Sequence, residues 1–178
     1  MVVESSTAII NLIRSDAPFN DTDYFVSPLY VSYLFGTFDA QTGIVDEIIS
    51  SGKLSIIKDQ LLRDKLTSIS GMLDNAEEDY EIRGYYYIHE ILPYLSKFFP
   101  LVNFDRYMDF SSWSNTYKTT RLSKSTLKAK YNEVDLLMLE NLIYQHKLNN
   151  DFVNLNESEM EWFFKETLEI IKENLKSK

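Results

Sequence analysis

The chain has 178 residues, 44% of them hydrophobic and 25% charged, which is typical of one globular domain with a hydrophobic core. Its net charge of −9 argues against a broad nucleic-acid surface, because such surfaces bind phosphates through basic side chains. The absence of cysteine excludes disulfides and thiolate metal sites, and no stretch approaches the roughly 18 apolar residues of a membrane span.

The sequence begins within the first predicted helix, which ends before Pro18. Ile9 and Ile13 lie on one of its faces. No basic segment precedes a long apolar core, so the N-terminus does not have the form of a signal peptide. Ser27-Pro28 predicts the start of a second, very apolar helix, because serine caps free backbone amides and proline fits the first turn.

A third helix is predicted to start at Asp39 or Thr42, either of which can cap it, and to end at Gly52. The letters SGK at this end also occur in phosphate-binding loops. Such a loop needs glycine at position 47, Ser or Thr at position 54 and a preceding strand, whereas this chain has Glu47, Leu54 and a helix. The sequence therefore predicts a left-handed helix end at Gly52 and no nucleotide site.

The most regular pattern is an apolar stripe whose members are three or four residues apart. They are Leu62, Leu66, Ile69, Leu73, Ala76, Tyr80, Gly84, Tyr87, Ile91, Leu95 and Phe98. The stripe predicts the central helix of the domain. Asp74-Asn75 is a potential break, and Pro93 is predicted to kink the helix because it removes a backbone donor and crowds the preceding turn. Gly84 predicts a close crossing with another helix.

An irregular crossover is predicted over residues 100–123, and helix resumes near Asn132. The apolar residues of this last segment include Val134, Leu137, Leu148, Phe152, Leu155, Met160, Phe164, Leu168, Ile171 and Leu175. Asn156 and Glu159 resemble a capping box, which leaves a break near 150–156 open. Only this segment is long enough to cover the stripe, so we expect it to pack there antiparallel. The predicted fold is all-α, an irregular bundle of long antiparallel helices forming one domain over residues 1–178.

The motifs of common enzymes and metal sites are absent from the sequence. His89 and His146 are not in H-E-x-x-H, and neither has a glutamate three residues before it. No serine stands in a G-x-S-x-G elbow. We therefore predict no catalytic, cofactor-binding or metal-binding residues and expect that the protein is not an enzyme.

Two segments carry candidate interaction residues. Three adjacent tyrosines on one helix cannot all face the same core, which makes Tyr85 and Tyr86 candidates for a surface contact. Residues 110–132 contain no acidic residue and five basic ones, and Trp113, Lys118 and Arg121 are the candidates there. Such a segment binds an external anionic partner or, as is commoner in an acidic protein, pairs with the chain's own acidic helices.

The stretch EIISSGKLSIIKDQLLRDKL, residues 47–66, resembles the most recognisable segment of a family of bacterial membrane-anchored proteins of unknown function. The corresponding residues are Phe38, Ser50 to Leu54, Ile57, Lys58, Asp59, Gln60, Leu62 and Arg63. The resemblance implies a short basic N-terminus, one transmembrane helix and a helical domain facing the periplasm at the bacterial inner membrane. This chain would then be the excised soluble domain, because it lacks the first two parts. The family supplies no catalytic residues.

Three functions stay open at this point. The first is a non-enzymatic interaction or sensor domain that binds a protein partner or associates with itself. The second is a helical-bundle enzyme or metal-binding protein whose site is assembled from distant residues, which a buried carboxylate cluster beside His89 or His146 would favour. The third is a cytoplasmic scaffold that binds nucleic acid through residues 118–130, although the net charge predicts no nucleic-acid partner.

Overall fold

The computed structural model describes residues 2–15, 27–29, 41–107 and 122–176, and the side chains of 105–107 are outside this description. Its α-helices are α1 (Val2–Ile13), α2 (Gly43–Ser50), α3 (Gln60–Tyr86), α4 (Leu92–Phe98) and α5 (Leu136–Lys176). A π-helical turn, Tyr87–Ile91, joins α3 to α4. Short 3-10 helices lie at Lys53–Ile56, Leu101–Tyr107 and Tyr131–Glu133. These ranges contain no strand, and the predicted all-α class is confirmed.

The helix ends predicted from the sequence are largely confirmed. α1 ends at Ile13, before Pro18, and residues 27–29 are helical as Ser27-Pro28 predicts. The rest of the predicted second helix lies outside the described residues. Thr42 is the N-cap of α2, but its hydroxyl donates to the Asp46 carboxylate at 2.6 Å instead of capping a backbone amide.

Gly52 ends α2 in the left-handed conformation, as predicted. Its φ is +71°, and its amide donates to the Ile49 carbonyl at 3.2 Å. The preceding amide, of Ser51, donates to Glu47 at 3.0 Å. Both bonds satisfy carbonyls that the end of the helix would otherwise leave without a partner.

Contacts divide the chain into two compact units, each assembled from two separate stretches. Unit 1 combines Met1–Phe35 with Arg83–Asn150, and unit 2 combines Gly36–Ile82 with Asp151–Lys178. The prediction of a single domain over residues 1–178 stays a prediction.

The core of unit 1 is rich in aromatic residues. Its buried members are Ile9, Ile10, Leu29, Tyr87, Ile91, Tyr94, Leu95, Phe99, Phe104, Leu139, Leu142 and Ile143. The Tyr94 hydroxyl donates to the Asp135 carbonyl at 2.6 Å, and the Tyr86 hydroxyl contacts the Leu142 carbonyl at 3.4 Å. The contact partner thus moves from Leu142 back to Asp135 as the chain advances from Tyr86 to Tyr94. These two segments are therefore antiparallel within unit 1.

The core of unit 2 is a row of aliphatic residues along α3 together with Met160 of α5. Its buried members are Leu62, Leu66, Ile69, Leu73, Ala76 and Met160. Polar contacts join α3 to α5 beside this row, from Asp59 with Asn174, through Lys65 with Glu166, to Tyr80 with Glu157. Their order shows that the two helices are antiparallel within unit 2, as predicted.

The structure leaves both long helices continuous where the sequence allowed breaks. α3 runs through Asp74-Asn75, and α5 runs through the capping-box-like residues at 156–159. Asn156 does not cap a helix, because its side-chain amide donates to the Asp79 carboxylate on α3. A bond across the helix pair therefore replaces the local bond that the sequence suggested.

The close crossing predicted at Gly84 is wrong for the described part of the chain. A Cβ added at Gly84 would meet no heavy atom of the described residues within 4 Å outside its own helix. The apolar residues of α5 are not all core: Leu137, Phe152, Leu155, Phe164, Leu168 and Leu175 are exposed. The buried apolar side of α5 is formed instead by Leu139, Leu142, Ile143, Val153 and Met160.

Candidate functional site

The candidate site at Tyr85 and Tyr86 lies in unit 1, where α3 ends and the π turn Tyr87–Ile91 begins. The Leu92 amide donates to the carbonyl of Tyr87, five residues earlier, which is the π-helical spacing. Pro93 follows at the start of α4 and supplies no backbone donor. The sequence predicted a kink at Pro93, and the structure places a widened turn immediately before it. Such turns are frequent at functional sites.

The three adjacent tyrosines have three different environments. Tyr85 is 66% exposed, Tyr86 is half-buried and Tyr87 is only 2% exposed. Burial, and secondarily the charge of Glu90, raises the pKa of the Tyr86 hydroxyl above its ordinary value. The prediction that the three cannot share one core is confirmed, and a binding role for Tyr85 and Tyr86 stays a prediction.

The solvent side of the π turn carries what we call the outer patch, formed by Tyr85, Ile88 and His89. The Tyr85 and His89 rings lie with their centroids 4.1 Å apart and their planes tilted by 34°. Ile88 is 47% exposed beside them. His89 is therefore an exposed histidine stacked on an aromatic ring.

The core side of the same turn carries what we call the inner polar group, formed by Tyr87, His146 and Asn150. The Tyr87 and His146 rings have centroids 5.8 Å apart, and the Asn150 side-chain amide donates to the His146 carbonyl at 2.8 Å. That amide nitrogen also lies 3.4 Å from His146 Nε2. All three residues are at most 3% exposed.

Sequence reasoning missed the inner polar group. Asn150 and His146 are four residues apart and lie on one face of α5, which was a detectable signal. Arg83 and Asn149 are also buried in unit 1, although neither stood out in the sequence.

The remaining candidate residues, Trp113, Lys118 and Arg121, lie outside the described residues. Of the basic segment around them, Lys130 is described, and its ammonium lies 3.2 Å from the Glu133 carboxylate three residues later. This exposed pair is local, with Glu133 in the adjacent 3-10 turn, so pairing of the basic segment with the acidic helices stays a prediction. A role in binding an external anion stays a prediction.

The described part of the chain holds no group of three or more His, Cys, Asp or Glu side chains that could bind a metal ion. No helix in it is long and apolar enough to cross a membrane. Comparison of the chain with protein-family models, with curated proteins and with solved structures found no significant match.

Proposed function

We propose that the protein is a non-enzymatic interaction or sensor domain that contacts a protein partner through the outer patch. The observation that carries the proposal is the exposure of Tyr85 and Ile88, at 66% and 47%, next to His89 on one short segment. Aromatic residues are enriched at protein interfaces because they combine a large apolar area with polar groups at their edges.

The geometry of the π turn supports this proposal physically. The stacked rings of Tyr85 and His89 restrict each other's rotation, which lowers the entropy lost when a partner binds. The adjacent Tyr87 is anchored in the core of unit 1 and holds the backbone of the patch. A partner would therefore meet a surface that is already ordered.

The cellular setting is part of the proposal and depends on the resemblance of residues 47–66. We place the domain on a membrane-anchored protein at the bacterial inner membrane, facing the periplasm. Osmotic-shock fractionation of cells and alkaline extraction of their membranes test this placement in the native host. The native protein should stay with the membrane and be accessible to protease only after the outer membrane is opened. Protease resistance in spheroplasts would instead favour a cytoplasmic protein.

The binding role is tested by site-specific photocrosslinking in the native host. A benzophenone side chain at position 85 should yield one dominant crosslinked protein, and the same group at the exposed Ser96 on α4 should not. Adding Ile88→Ser to the position-85 probe should weaken that product. Equal products from both positions would contradict a specific patch, and a crosslinked dimer of the chain itself would identify self-association.

A further inference from the structure

A different surface, in unit 2, exposes three large apolar side chains of α5. Phe152, Leu155 and Trp162 are 57%, 55% and 64% exposed. Their spacing of three and seven residues puts them on one side of the helix. We call this surface the α5 outer face.

The contacts within unit 2 leave most of this face exposed. The buried side of α5 in unit 2 follows Val153, Met160 and Thr167, seven residues apart. Leu155 lies about 160° around the helix from Val153, at 3.6 residues per turn. The row on α3 covers the buried side and so cannot also cover the α5 outer face.

The two acids on the same side of the helix as Leu155 are Asp151 and Glu159, each four residues from it. No basic residue occurs between Lys147 and Lys165. Glu159 is four residues after Leu155 and three before Trp162, so the exposed carboxylate lies within the apolar surface. A second copy of the chain would bring acid against acid there, which opposes association.

The Trp162 ring already interacts with a cation. The Lys65 ammonium lies 5.1 Å from the ring centroid and is paired with the Glu166 carboxylate. This lysine is therefore neutralised locally, and the indole keeps a large exposed area. An exposed indole attracts ammonium and guanidinium groups through its π-electron density.

We propose that the α5 outer face binds a basic amphipathic helix of a partner protein. The apolar side of that helix would cover Phe152, Leu155 and Trp162, and a lysine or arginine would pair with Glu159. Helices dock in this way when their apolar residues recur every three or four positions. The proposal concerns residues separate from the outer patch at Tyr85 and does not depend on the function proposed for that patch.

The test uses the whole chain and a fluorescein-labelled synthetic helix of eighteen leucine and lysine residues with one apolar side. A scrambled peptide of the same composition is the control for charge alone. We expect fluorescence anisotropy to give micromolar binding of the amphipathic probe, at least tenfold tighter than the scrambled peptide, and a blue shift of Trp162 emission. Because the second tryptophan, at position 113, would obscure that shift, it is measured in a Trp113→Phe background.

Single substitutions then locate the binding surface. Leu155→Ser and Glu159→Lys should each weaken binding at least tenfold, whereas Leu175→Ser, at a position 67% exposed on the same helix, should change it less than twofold. Glu159→Gln should have an intermediate effect, and circular dichroism checks folding. Tyr85→Ser should leave probe binding unchanged, which separates this test from that of the outer patch.

Three outcomes would overturn the proposal. The first is equal binding of the amphipathic and scrambled peptides, which would show attraction by net charge alone. The second is no binding, or binding that is insensitive to Leu155→Ser and Glu159→Lys. The third is a dimer of the chain, seen by sedimentation without peptide and abolished by Leu155→Ser, which would assign the α5 outer face to a second copy.

Discussion

Unit 1 and unit 2 both contain parts of the long stripe and of α5, yet they bury them differently. In unit 1 the buried cluster draws on α1, residue 29, the π turn, α4, Phe104 and α5. In unit 2 the buried cluster is one row on α3 with Met160 of α5. The comparison shows that the number of elements packed around a helix, more than its apolar content, decides how much apolar surface is removed from water.

Deleting residues 156–178 should have the largest effect and should fall mainly on unit 2. The deletion removes Met160 together with Phe163, Ile170 and Ile171, which pack against the row on α3. We expect residues 60–76 to lose hydrogen-exchange protection and the protein to aggregate or become molten. Residues 139–143, in the core of unit 1, should keep their protection. A monomeric truncated protein with an unchanged cooperative melt would contradict this packing.

The two cores can also be compared by equivalent substitutions. Leu95, in unit 1, is 1% exposed and Leu73, in unit 2, is 8% exposed. Leu95→Ala should destabilise the protein by about 3–5 kcal/mol and Leu73→Ala by about 2–3 kcal/mol, since the cavity in the better enclosed core collapses less. Urea unfolding followed by circular dichroism measures both. Equal losses would mean that the cores are equally well packed.

Gly52→Ala should destabilise unit 2 through the backbone alone. A Cβ at this position would meet no heavy atom of the described residues within 4 Å, but the φ of +71° is unfavourable for alanine. The expected cost is about 1 kcal/mol, from the steric preference of L-residues for negative φ. Gly52→Asn is the control and should cost less, because asparagine tolerates this conformation. Thermal melts of the three proteins are the measurement.

Gly84→Ala, in unit 1, should have the opposite sign. Gly84 lies inside α3, and an added Cβ meets nothing among the described residues within 4 Å. Alanine should therefore stabilise the helix by about 0.5–1 kcal/mol through its higher helix propensity. Thermal melts measure this effect as well. If Gly84→Ala is instead less stable, the result would support the close helix crossing that the sequence suggested.

The smallest effect concerns Asp59 at the start of α3 in unit 2. Its pKa is lowered, first by the hydrogen bond from Asn174 and then by the backbone amide of Leu62. A carboxyl with a lowered folded pKa stabilises the protein above its unfolded pKa of ~3.9, and this stability is lost as pH falls through the folded value. Asn174→Ala should raise the pKa of Asp59, which carboxyl-carbon NMR titration measures. An unchanged titration would leave the backbone amide as the main cause.

The fold was predictable from sequence wherever the apolar residues of a segment could form only one buried side. The stripe that begins on α3 recurs every three or four residues without interruption, and its buried members were identified. α5 carries apolar residues on more than one side, so periodicity alone did not separate Val153, which is buried, from Leu155, which is exposed. α5 continues through Asn156, whose side chain bonds to Asp79, 77 residues away in sequence, and no local pattern reveals that bond.

Local helix geometry predicted part of the candidate site. The rest depends on contacts between residues that are distant in sequence. Three tyrosines in sequence had to diverge on a helix, so the exposure of Tyr85 followed from geometry. The π turn did not follow, because Pro93 is compatible with a kink, a helix end or a widened turn. The contact between Tyr87 and His146 joins residues distant in sequence and became visible only in the folded chain.

The division of each unit into two stretches also sets an order of assembly during synthesis. Unit 2 needs both Gly36–Ile82 and Asp151–Lys178, whereas the intervening Arg83–Asn150 belongs to unit 1. A ribosome adds about 5–20 residues per second, so the roughly 70 intervening residues take several seconds to make. Throughout that interval the row from Leu62 to Ala76 has been translated while its partner on α5 has not. The nascent chain therefore carries this row without its partner for that interval, and unit 2 can close only after Asp151–Lys178 has been translated.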